Sequence, residues 1–306
     1  MHKEIETYLS HILPLLMQRG ISIQSQREID YGIQLRLSRL PDNATLNIYH
    51  SAKRGISTVV GANQASTLKT ELEALLLGEI PLATELEMHN WHTWIGSDEC
   101  GKGDYFGPLI VTAFYLRREQ ATALKKLGVC DSKALRDENL ISIAQKIYSQ
   151  FPGQFNSLIL KPEKYNDLIS RFQAQKLNLN DLMAWAHATT IGKLLDSNLQ
   201  VEGVLVDQFS KAQKVKARLA PKYPRLNILE RTKAERDLAV AAASILSRYQ
   251  FVMIRREMDA FYQMELPLGA SAGVIKAAKT FVSKYGKPRL GEVAKLHFKT
   301  SLKVLS

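Results

Sequence analysis

The fold of this chain is organised around residues 94–108, which read Trp94-Ile95-Gly96-Ser97-Asp98-Glu99-Cys100-Gly101-Lys102-Gly103-Asp104-Tyr105-Phe106-Gly107-Pro108. Three carboxylates, one lysine and three glycines fall within ten consecutive residues. Adjacent acids at the end of a strand repel each other, so a fold that packs them beside its core usually neutralises them with a cation. Glycines leave bare backbone N–H groups that a phosphate can approach closely. The stretch predicts a hard-metal site beside a phosphodiester; the alternative is a polar, solvated turn between two strands.

The composition is that of a soluble globular protein, with 306 residues, 45% hydrophobic and 23% charged. No apolar run approaches the roughly 20 residues that a membrane span requires, and the N-terminus lacks the apolar segment of a signal peptide. Two cysteines, Cys100 and Cys130, are too few for a disulfide framework and lack metal-site spacing. We therefore expect a cytoplasmic protein with no membrane partner, and a monomer.

The net charge of +11 is unevenly divided along the chain. Residues 1–88 hold 8 Lys or Arg and 10 Asp or Glu, a net charge of −2, whereas the remainder holds 33 and 20, a net charge of +13. The second part therefore has the charge of a domain that binds a polyanion. A basic surface kept for solubility is the alternative.

Residues 1–80 are predicted to form a small α+β domain, and residues 81–90 a linker. The predicted elements are a helix over 3–18, strands over 31–40, 45–51 and 56–60, and a helix after Thr67. Both helices can cover one face of the sheet. The open face is lined by Gln34, Arg36, Ser38, Asn47, Tyr49 and Ser51. This face suits a nucleic-acid groove in which Arg36 and Tyr49 contact the substrate, or else it packs on the second domain.

Residues 91–306 are predicted to form a larger α/β domain. Its predicted strands start at Trp94 and at 109, 155, 203 and 226, with helices between them, one of them capped by Asn180. The run Gly203–Asp207 is continuously apolar until its final acid, which is typical of a strand buried on both faces. Active groups of such sheets collect at the carboxyl ends of strands, so we expect Asp207 to face Asp98 and Glu99. A helix rich in alanine from Ala239 can lie close to the sheet and bring Glu235, in its first turn, to these acids.

Four acids thus converge: Asp98, Glu99, Asp207 and Glu235. Four carboxylates can hold two divalent cations roughly 4 Å apart, an arrangement that serves in-line phosphoryl displacement. The segments that contain these acids, together with residues 131–133, resemble bacterial ribonuclease HIII of the type 2 ribonuclease H group. The matching segments are 96–108, 131–133, 206–209 and 232–245. A glutamate as the fourth acid, together with the extra N-terminal domain, favours ribonuclease HIII over the related HII enzymes.

The resemblance implies a ribonuclease H-like mixed sheet flanked by helices, preceded by a small domain similar to one half of a TATA-binding protein. It also implies hydrolysis of the RNA strand of RNA/DNA hybrids, leaving 5'-phosphate and 3'-hydroxyl ends. Two Mg2+ or Mn2+ ions would be bound by the four acids, which are then the catalytic residues. Gly101, Lys102 and Gly103 would contact the sugar-phosphate backbone around the scissile ribonucleotide, and Ser132 and Lys133 would contact phosphates.

Two other functions stay open at this point. One is incision at single embedded ribonucleotides, as in the HII enzymes, and the other is binding of hybrids without cleavage. The histidines His187 and His297 are interpreted as packing or phosphate-contacting residues, because hard-metal sites prefer oxygen ligands. Asp104 is interpreted as a turn residue.

Overall fold

The computed structural model describes residues 3–40, 42–51, 55–61, 66–78, 88–129, 132, 135–197 and 199–306. The chain divides into two compact units, Met1–Ala83 and Thr84–Ser306. Most of the predicted linker, residues 81–87, lies outside the described residues, as does Lys133. None of the described helices combines the length and the apolar character needed to cross a membrane. The cytoplasmic location and the monomeric state stay predictions.

The first unit is a four-stranded antiparallel sheet in the order β1-β2-β3-β4, with both helices packed on one face. Its elements are α1 (Lys3–Gln18), β1 (Ser22–Ile29), β2 (Gly32–Arg39), β3 (Asp42–Ser51), β4 (Gly55–Gly61) and α2 (Thr67–Gly78). Alternate residues of β2 and β3 face the helices, as their period of two predicts. On the other face, Gln34 Nε2 donates to Asn47 Oδ1 at 2.6 Å.

The edge strand β1 was not among the predicted elements. Its residues are mostly exposed and polar, so it lacks the apolar alternation that marks a half-buried strand. It pairs with β2 and brings Ser22 opposite Ser38. The Ser22 hydroxyl donates to the Ser38 carbonyl at 2.9 Å. Ser38 is on the same face as Gln34 and Arg36 by alternation along β2, but it is buried and not exposed there.

The second unit contains a five-stranded mixed sheet in the order β7-β6-β5-β8-β9. Its strands are β5 (Thr93–Cys100), β6 (Leu109–Arg117), β7 (Phe155–Leu160), β8 (Gly203–Asp207) and β9 (Asn227–Arg231). Its helices are α3 (Ala121–Lys126), α4 (Asp137–Gln150), α5 (Pro162–Ala174), α6 (Leu179–Leu195), α7 (Lys214–Leu219), α8 (Leu238–Tyr262), α9 (Ala272–Tyr285) and α10 (Lys299–Leu305). Short 3₁₀ turns lie at Arg118–Gln120, Ala234–Arg236 and Lys287–Glu292.

The central strand β5 is antiparallel to β6 and parallel to β8. Helices α4 and α8 pack on one face of the sheet, and α6 and α7 pack on the other. Eight of the nine residues of β6 are buried, which explains its continuously apolar sequence. The parallel pairing of β5 with β8 matters most for the site, because it aligns the carboxyl ends of the two strands.

Helix α8 lies against β5 at Gly96. A Cβ atom on residue 96 would stand 2.2 Å from the Val240 backbone nitrogen, so only glycine fits there. The expectation of a close alanine-rich helix is confirmed. Glu235, however, lies in the 3₁₀ turn before the helix and not in its first turn, because Asp237 is the N-cap and accepts from the N–H groups of Ala239 and Val240.

The N-cap of α6 also differs from the prediction. The capping residue is Asn178, whose side-chain oxygen accepts from the Asn180 N–H at 2.9 Å. Asp181 completes a capping box by accepting from the Asn178 N–H. The helix therefore begins one residue before the predicted cap.

Candidate active site

The site is built first on two neighbouring acids at the end of β5. The Glu99 N–H donates to Asp98 Oδ1 at 2.8 Å, so the two carboxyl groups stay close together. Desolvation by the surrounding protein, followed by the charge of Glu99, raises the pKa of Asp98 to about 8. The surrounding protein therefore disfavours the ionised form of Asp98 when no cation is bound.

Asp207 joins this pair from β8. The parallel register pairs Ser97 with Val206, so the next residue of each strand is an acid at the same edge of the sheet. The charge of Asp207 is a further, smaller cause of the raised pKa of Asp98. Three of the four predicted acids therefore lie together at the carboxyl edge of β5 and β8.

The fourth acid, Glu235, is brought to this edge by its backbone. Asp207 Oδ1 accepts from the N–H of Ala234 at 3.2 Å, and Glu235 is the next residue. Lys233 begins this 3₁₀ turn in the left-handed region, with φ 61°. Glu235 is half-buried. Because it directly follows the residue whose N–H binds Asp207, its backbone lies at the same edge of the sheet.

Two donors hold the Glu99 carboxylate, one on each oxygen. His187 Nε2 lies 3.3 Å from Oε2, and Lys102 Nζ lies 3.6 Å from Oε1. Burial alone would raise the pKa of Glu99, but the hydrogen bond and charge of His187 and the charge of Lys102 outweigh burial and lower it. The adjacent acids of β5 are therefore unequal, since only Glu99 has this support.

Helix α8 contributes serines behind Asp98. A hydrogen bond from the Ser244 side chain opposes the rise in the pKa of Asp98, and the Ser247 hydroxyl donates to the Asp98 carbonyl at 3.3 Å. Ser132 is buried, with its hydroxyl 2.8 Å from that of Ser244. Ser132 is thus connected to Asp98 through one hydroxyl, whereas its predicted contact with phosphate stays a prediction.

The loop after β5 is held by the C-terminal segment. Gly107 N–H donates to Val293 O at 2.9 Å, and Lys295 N–H donates to Tyr105 O at 2.8 Å. The fully buried Lys295 ammonium donates to the carbonyls of Asp104 and Gly107, both at 2.7 Å. Gly101 has φ +89°, and a Cβ there would meet Pro108 O at 2.2 Å. The loop conformation thus depends on residues almost 200 positions away along the chain.

The predicted site residues fall into two sets. Asp98, Glu99, Asp207 and Glu235 lie at one edge of the second sheet, followed closely by Gly101, Lys102 and Gly103 in the loop after β5. Arg36, which is exposed, and Tyr49, which is half-buried, lie on β2 and β3 of the first unit. Asp104 closes a turn through its N–H, which donates to Gly101 O at 3.3 Å. Its side chain makes a long-range contact instead, since Oδ1 accepts from the Gly269 N–H at 2.7 Å.

Sequence reasoning missed the functional contacts of His187, Ser244 and Lys295. His187 is predicted from the sequence to be a packing or phosphate-contacting residue, and the structure places its Nε2 3.3 Å from Glu99 Oε2. One signal was available, because a histidine in an otherwise strongly apolar helix face needs buried polar partners. Ser244 and Lys295 carried no signal of this kind.

The donor set fits a hard divalent cation. Carboxylate oxygens are the ligands that Mg2+ and Mn2+ prefer. Burial, and after it the charge of Glu99, raises the pKa of Asp98, and a bound cation would favour the ionised form. Among the residues that the structure describes, no three Asp, Glu, His or Cys side chains form a cluster that could hold an ion. The acids are linked instead by the hydrogen bond from the Glu99 N–H to Asp98 Oδ1 and by the charge of Asp207, a smaller cause of the raised pKa of Asp98.

Comparison with known proteins gives the class and then the family. The family model described as Ribonuclease HII matches residues 95–301, so the fold and its acidic edge define a ribonuclease H enzyme. Ribonuclease HIII of Protochlamydia amoebophila is 36% identical over 290 residues, which are 94% of this chain and 91% of that protein. Ribonuclease HIII of Chlamydia trachomatis serovar L2 is 40% identical over 213 residues, 69% of each protein. The chain belongs to the ribonuclease HIII family.

Solved structures agree with this assignment. Bst-RNase HIII in complex with Mn2+ is 29% identical, with a TM-score of 0.65, and the match covers 96% of this chain and 95% of that one. The match spans both units. The predicted fold class, a ribonuclease H-like mixed sheet flanked by helices and preceded by a small α+β domain similar to half of a TATA-binding protein, is confirmed.

Proposed function

We propose that this protein hydrolyses the RNA strand of RNA/DNA hybrids by a two-metal mechanism that leaves 5'-phosphate and 3'-hydroxyl ends. The observation that carries the proposal is the meeting of Asp98, Glu99 and Asp207 at the carboxyl ends of β5 and β8, in a chain of the ribonuclease HIII family. Active groups of such sheets collect at the carboxyl ends of the strands, and a two-metal phosphoryl-transfer site requires several carboxylates there.

Asp98, Glu99, Asp207 and Glu235 are the residues proposed to bind Mg2+ or Mn2+. The Mn2+ complex of a relative with the same fold supports this assignment. Such ions, when bound, supply an activated water and a stabilised leaving oxygen. The protein contributes the orientation of the carboxylates: the Ala234 amide fixes Asp207, the Glu99 amide fixes Asp98, and His187 and Lys102 fix Glu99.

The loop after β5 is proposed to bind the sugar-phosphate backbone of the RNA strand. Gly103 supports this, because a Cβ built on it would have no atom within 4 Å, so a ribose can approach its backbone. Lys102 lies next to it, with 32% of its side chain exposed. Its ammonium is therefore within reach both of Glu99 and of an incoming phosphate. Lys133 is proposed as a further phosphate contact.

The charge of the second unit supports a polyanionic substrate. Residues 208–236 hold nine Lys or Arg and two Asp or Glu, and this stretch runs from Asp207 to just beyond Glu235. One of the two acids, Glu230, is buried and accepts from the N–H groups of Val215 and Lys216, both at 3.0 Å. Its charge is thus used inside the fold, which leaves the exposed side chains of this stretch strongly positive.

The first unit is proposed to bind the hybrid through its open face. Arg36 and Tyr49 are on this face, beside the Gln34–Asn47 hydrogen bond. An arginine, a tyrosine and two amides can contact phosphate and sugar without reading sequence. The domain boundaries proposed for this division of labour are 1–80 for substrate binding and 91–306 for catalysis.

The test is cleavage of an RNA/DNA hybrid labelled on either strand, with Mg2+ and with Mn2+, by wild type and by Asp207→Asn. The substitution preserves shape and removes one ligand charge, so activity should fall about 10³-fold, which corresponds to about 4 kcal/mol. Asp196→Asn is the matched control: this exposed acid pairs with Lys222 at the end of α6, and its loss should leave activity unchanged. Cleavage of the DNA strand, or equal activity in the two variants, would contradict the proposal. Binding without cleavage by wild type would favour a hybrid-binding protein.

A further inference from the structure

His187 is a buried polar residue at the centre of α6, and its side chain is 0% exposed. Its ring stacks on that of Phe209, with the centroids 5.3 Å apart and the planes 16° apart. A buried imidazole is costly unless its nitrogens have hydrogen-bond partners. Both nitrogens of His187 have theirs on β5, one on Ser97 and one on Glu99. The ring therefore links the helix to the acidic end of the strand.

The direction of one of these hydrogen bonds follows from Glu99. The Ser97 hydroxyl lies 2.9 Å from the Thr112 carbonyl and 2.8 Å from His187 Nδ1. On the other side of the ring, Nε2 faces the Glu99 carboxylate, which can only accept. Ser97 thus anchors one side of the ring, and the opposite side donates to Glu99.

The two donors to Glu99 differ in their freedom. Lys102 is on a glycine-rich loop, its side chain is 32% exposed, and its ammonium lies 3.6 Å from Oε1. A lysine in this setting can turn towards a phosphate and release the carboxylate. His187 is enclosed by protein on all sides and is anchored by Ser97. The permanent support of Glu99 is therefore the bond from His187 to Oε2.

We propose that His187 is a positioning residue of the active site, which holds the Glu99 carboxylate in the orientation in which it binds a divalent cation beside Asp98. This inference rests on the proposed function. Donors behind metal ligands fix the orientation of those ligands, and their loss costs about 10- to 100-fold in metal affinity. His187 contacts neither the substrate nor the cation in this arrangement.

Two substitutions separate positioning from packing. In His187→Asn the amide can replace Nδ1 as the partner of Ser97 but is too short to reach Glu99, whereas in His187→Gln the longer amide reaches Glu99. Mn2+ binding to the full chain is measured by calorimetry without substrate, beside the Mn2+ concentration that gives half-maximal hybrid cleavage. We expect the Asn variant to bind Mn2+ about 10-fold more weakly than wild type or worse, and the Gln variant to stay within about 3-fold. At saturating Mn2+ the kcat of both should return towards the wild-type value.

The matched control is Thr190→Val. Thr190 is buried on the same helix, and its hydroxyl donates to the backbone carbonyls of Ala186 and His187, so its loss changes packing and not Glu99. Its Mn2+ affinity should equal that of wild type. Equal Mn2+ affinities in the Asn and Gln variants would overturn the proposal, whatever their melting temperatures. If the Asn variant does not fold, a Gln variant that binds Mn2+ more than 10-fold more weakly than wild type would also overturn it.

The measurement separates this inference from the proposed function. Wild type that binds Mn2+ without cutting the hybrid would contradict the proposed function alone, because the affinities of the variants would still report on Glu99. Wild type that cuts the hybrid, with unchanged Mn2+ affinity in the Asn variant, would contradict the inference alone.

Discussion

The two units of the chain differ in what they bury. Among the described residues of the first unit, the core is aliphatic and the buried polar side chains are Ser38 and Ser66. Among those of the second unit, the buried acidic, basic and histidine residues are His187, Glu230, Asp237, Arg255 and Lys295. Burying such groups costs free energy even when they have partners. The buried groups of the second unit therefore cost free energy of folding that the aliphatic core of the first unit does not.

The difference follows the location of the chemistry. Most of the buried ionisable groups support an element beside the acidic edge: His187 bonds to Glu99, Asp237 caps α8, Glu230 holds the start of α7, and Lys295 holds the loop after β5. The first unit instead leaves its polar groups on an open sheet face. A site that must orient charges requires fixed support inside the fold, whereas a surface that binds a polyanion does not.

The largest expected effect is that of Asp98→Asn. Its kcat should fall about 10³-fold, through loss of a proposed metal ligand. In buffer without divalent ions, the variant should nevertheless melt a few degrees higher than wild type. The pKa of about 8 lies above the usual value of 3.8, so between about pH 4 and pH 8 the carboxyl is ionised in the unfolded chain but stays protonated in the fold. The fold therefore loses stability as the pH rises over this range, and a neutral amide removes this loss.

Activity assays and thermal melting of the same preparation measure both parts of this prediction. Asp30→Asn is the control from the first unit, where an exposed acid should affect neither kcat nor the melting temperature. A lower melting temperature for Asp98→Asn would show that the buried acid does not destabilise the second unit. The two units would then not differ in the stability that their buried groups cost.

A smaller effect is expected on the open face of the first unit. Combining Arg36→Ala with Tyr49→Ala should raise the KM for the hybrid about tenfold, or about 1.4 kcal/mol, with kcat unchanged, because these residues are proposed to bind substrate and not to take part in the chemistry. Steady-state kinetics at two salt concentrations measure it. Arg19→Ala is matched in charge but lies at the end of α1, on the helical side, and should leave KM unchanged. Equal KM changes in the double variant and in Arg19→Ala would contradict the proposal that this face binds the hybrid.

The smallest effect concerns pH. Burial lowers the pKa of Lys295 to about 7, against the opposing charges of Asp104 and Cys100. Below pH 7 the folded and unfolded chains both carry its proton, but between pH 7 and about 10.5 only the unfolded chain does, so stability from this residue rises with pH. The deficit of Lys295→Met in the free energy of unfolding should therefore be about 2 kcal/mol larger at pH 8.5 than at pH 6.5.

Urea unfolding at the two pH values measures this deficit. Leu46→Ala removes a fully buried aliphatic side chain of the first unit and should cost the same free energy at both. A pH-independent deficit for Lys295→Met would show that Lys295 stays charged in the fold. The buried lysine of the second unit would then affect stability no more strongly with pH than Leu46 of the first unit does.

Local patterns predicted most of the elements and the acids. The apolar runs of β6 and β8 predicted buried strands, and the acid at the end of β8 was predicted to lie beside Asp98. The same reasoning failed for β1, since an exposed edge strand has no apolar period, and for the start of α8, since Asp237 caps the helix after Glu235. Helices α9 and α10 carry no motif, although the segment between them holds the loop after β5.

By itself, the sequence determined which residues carry charge, where buried strands end, and that acids would lie at one edge of a mixed sheet. These features depend on side-chain type and on periods of a few residues. Only the tertiary structure decided how these acids are supported. His187 reaches Glu99 across 88 residues, and Lys295 reaches Asp104 across 191. Such contacts depend on how helices pack on the sheet, and no local period records a partner so far along the chain.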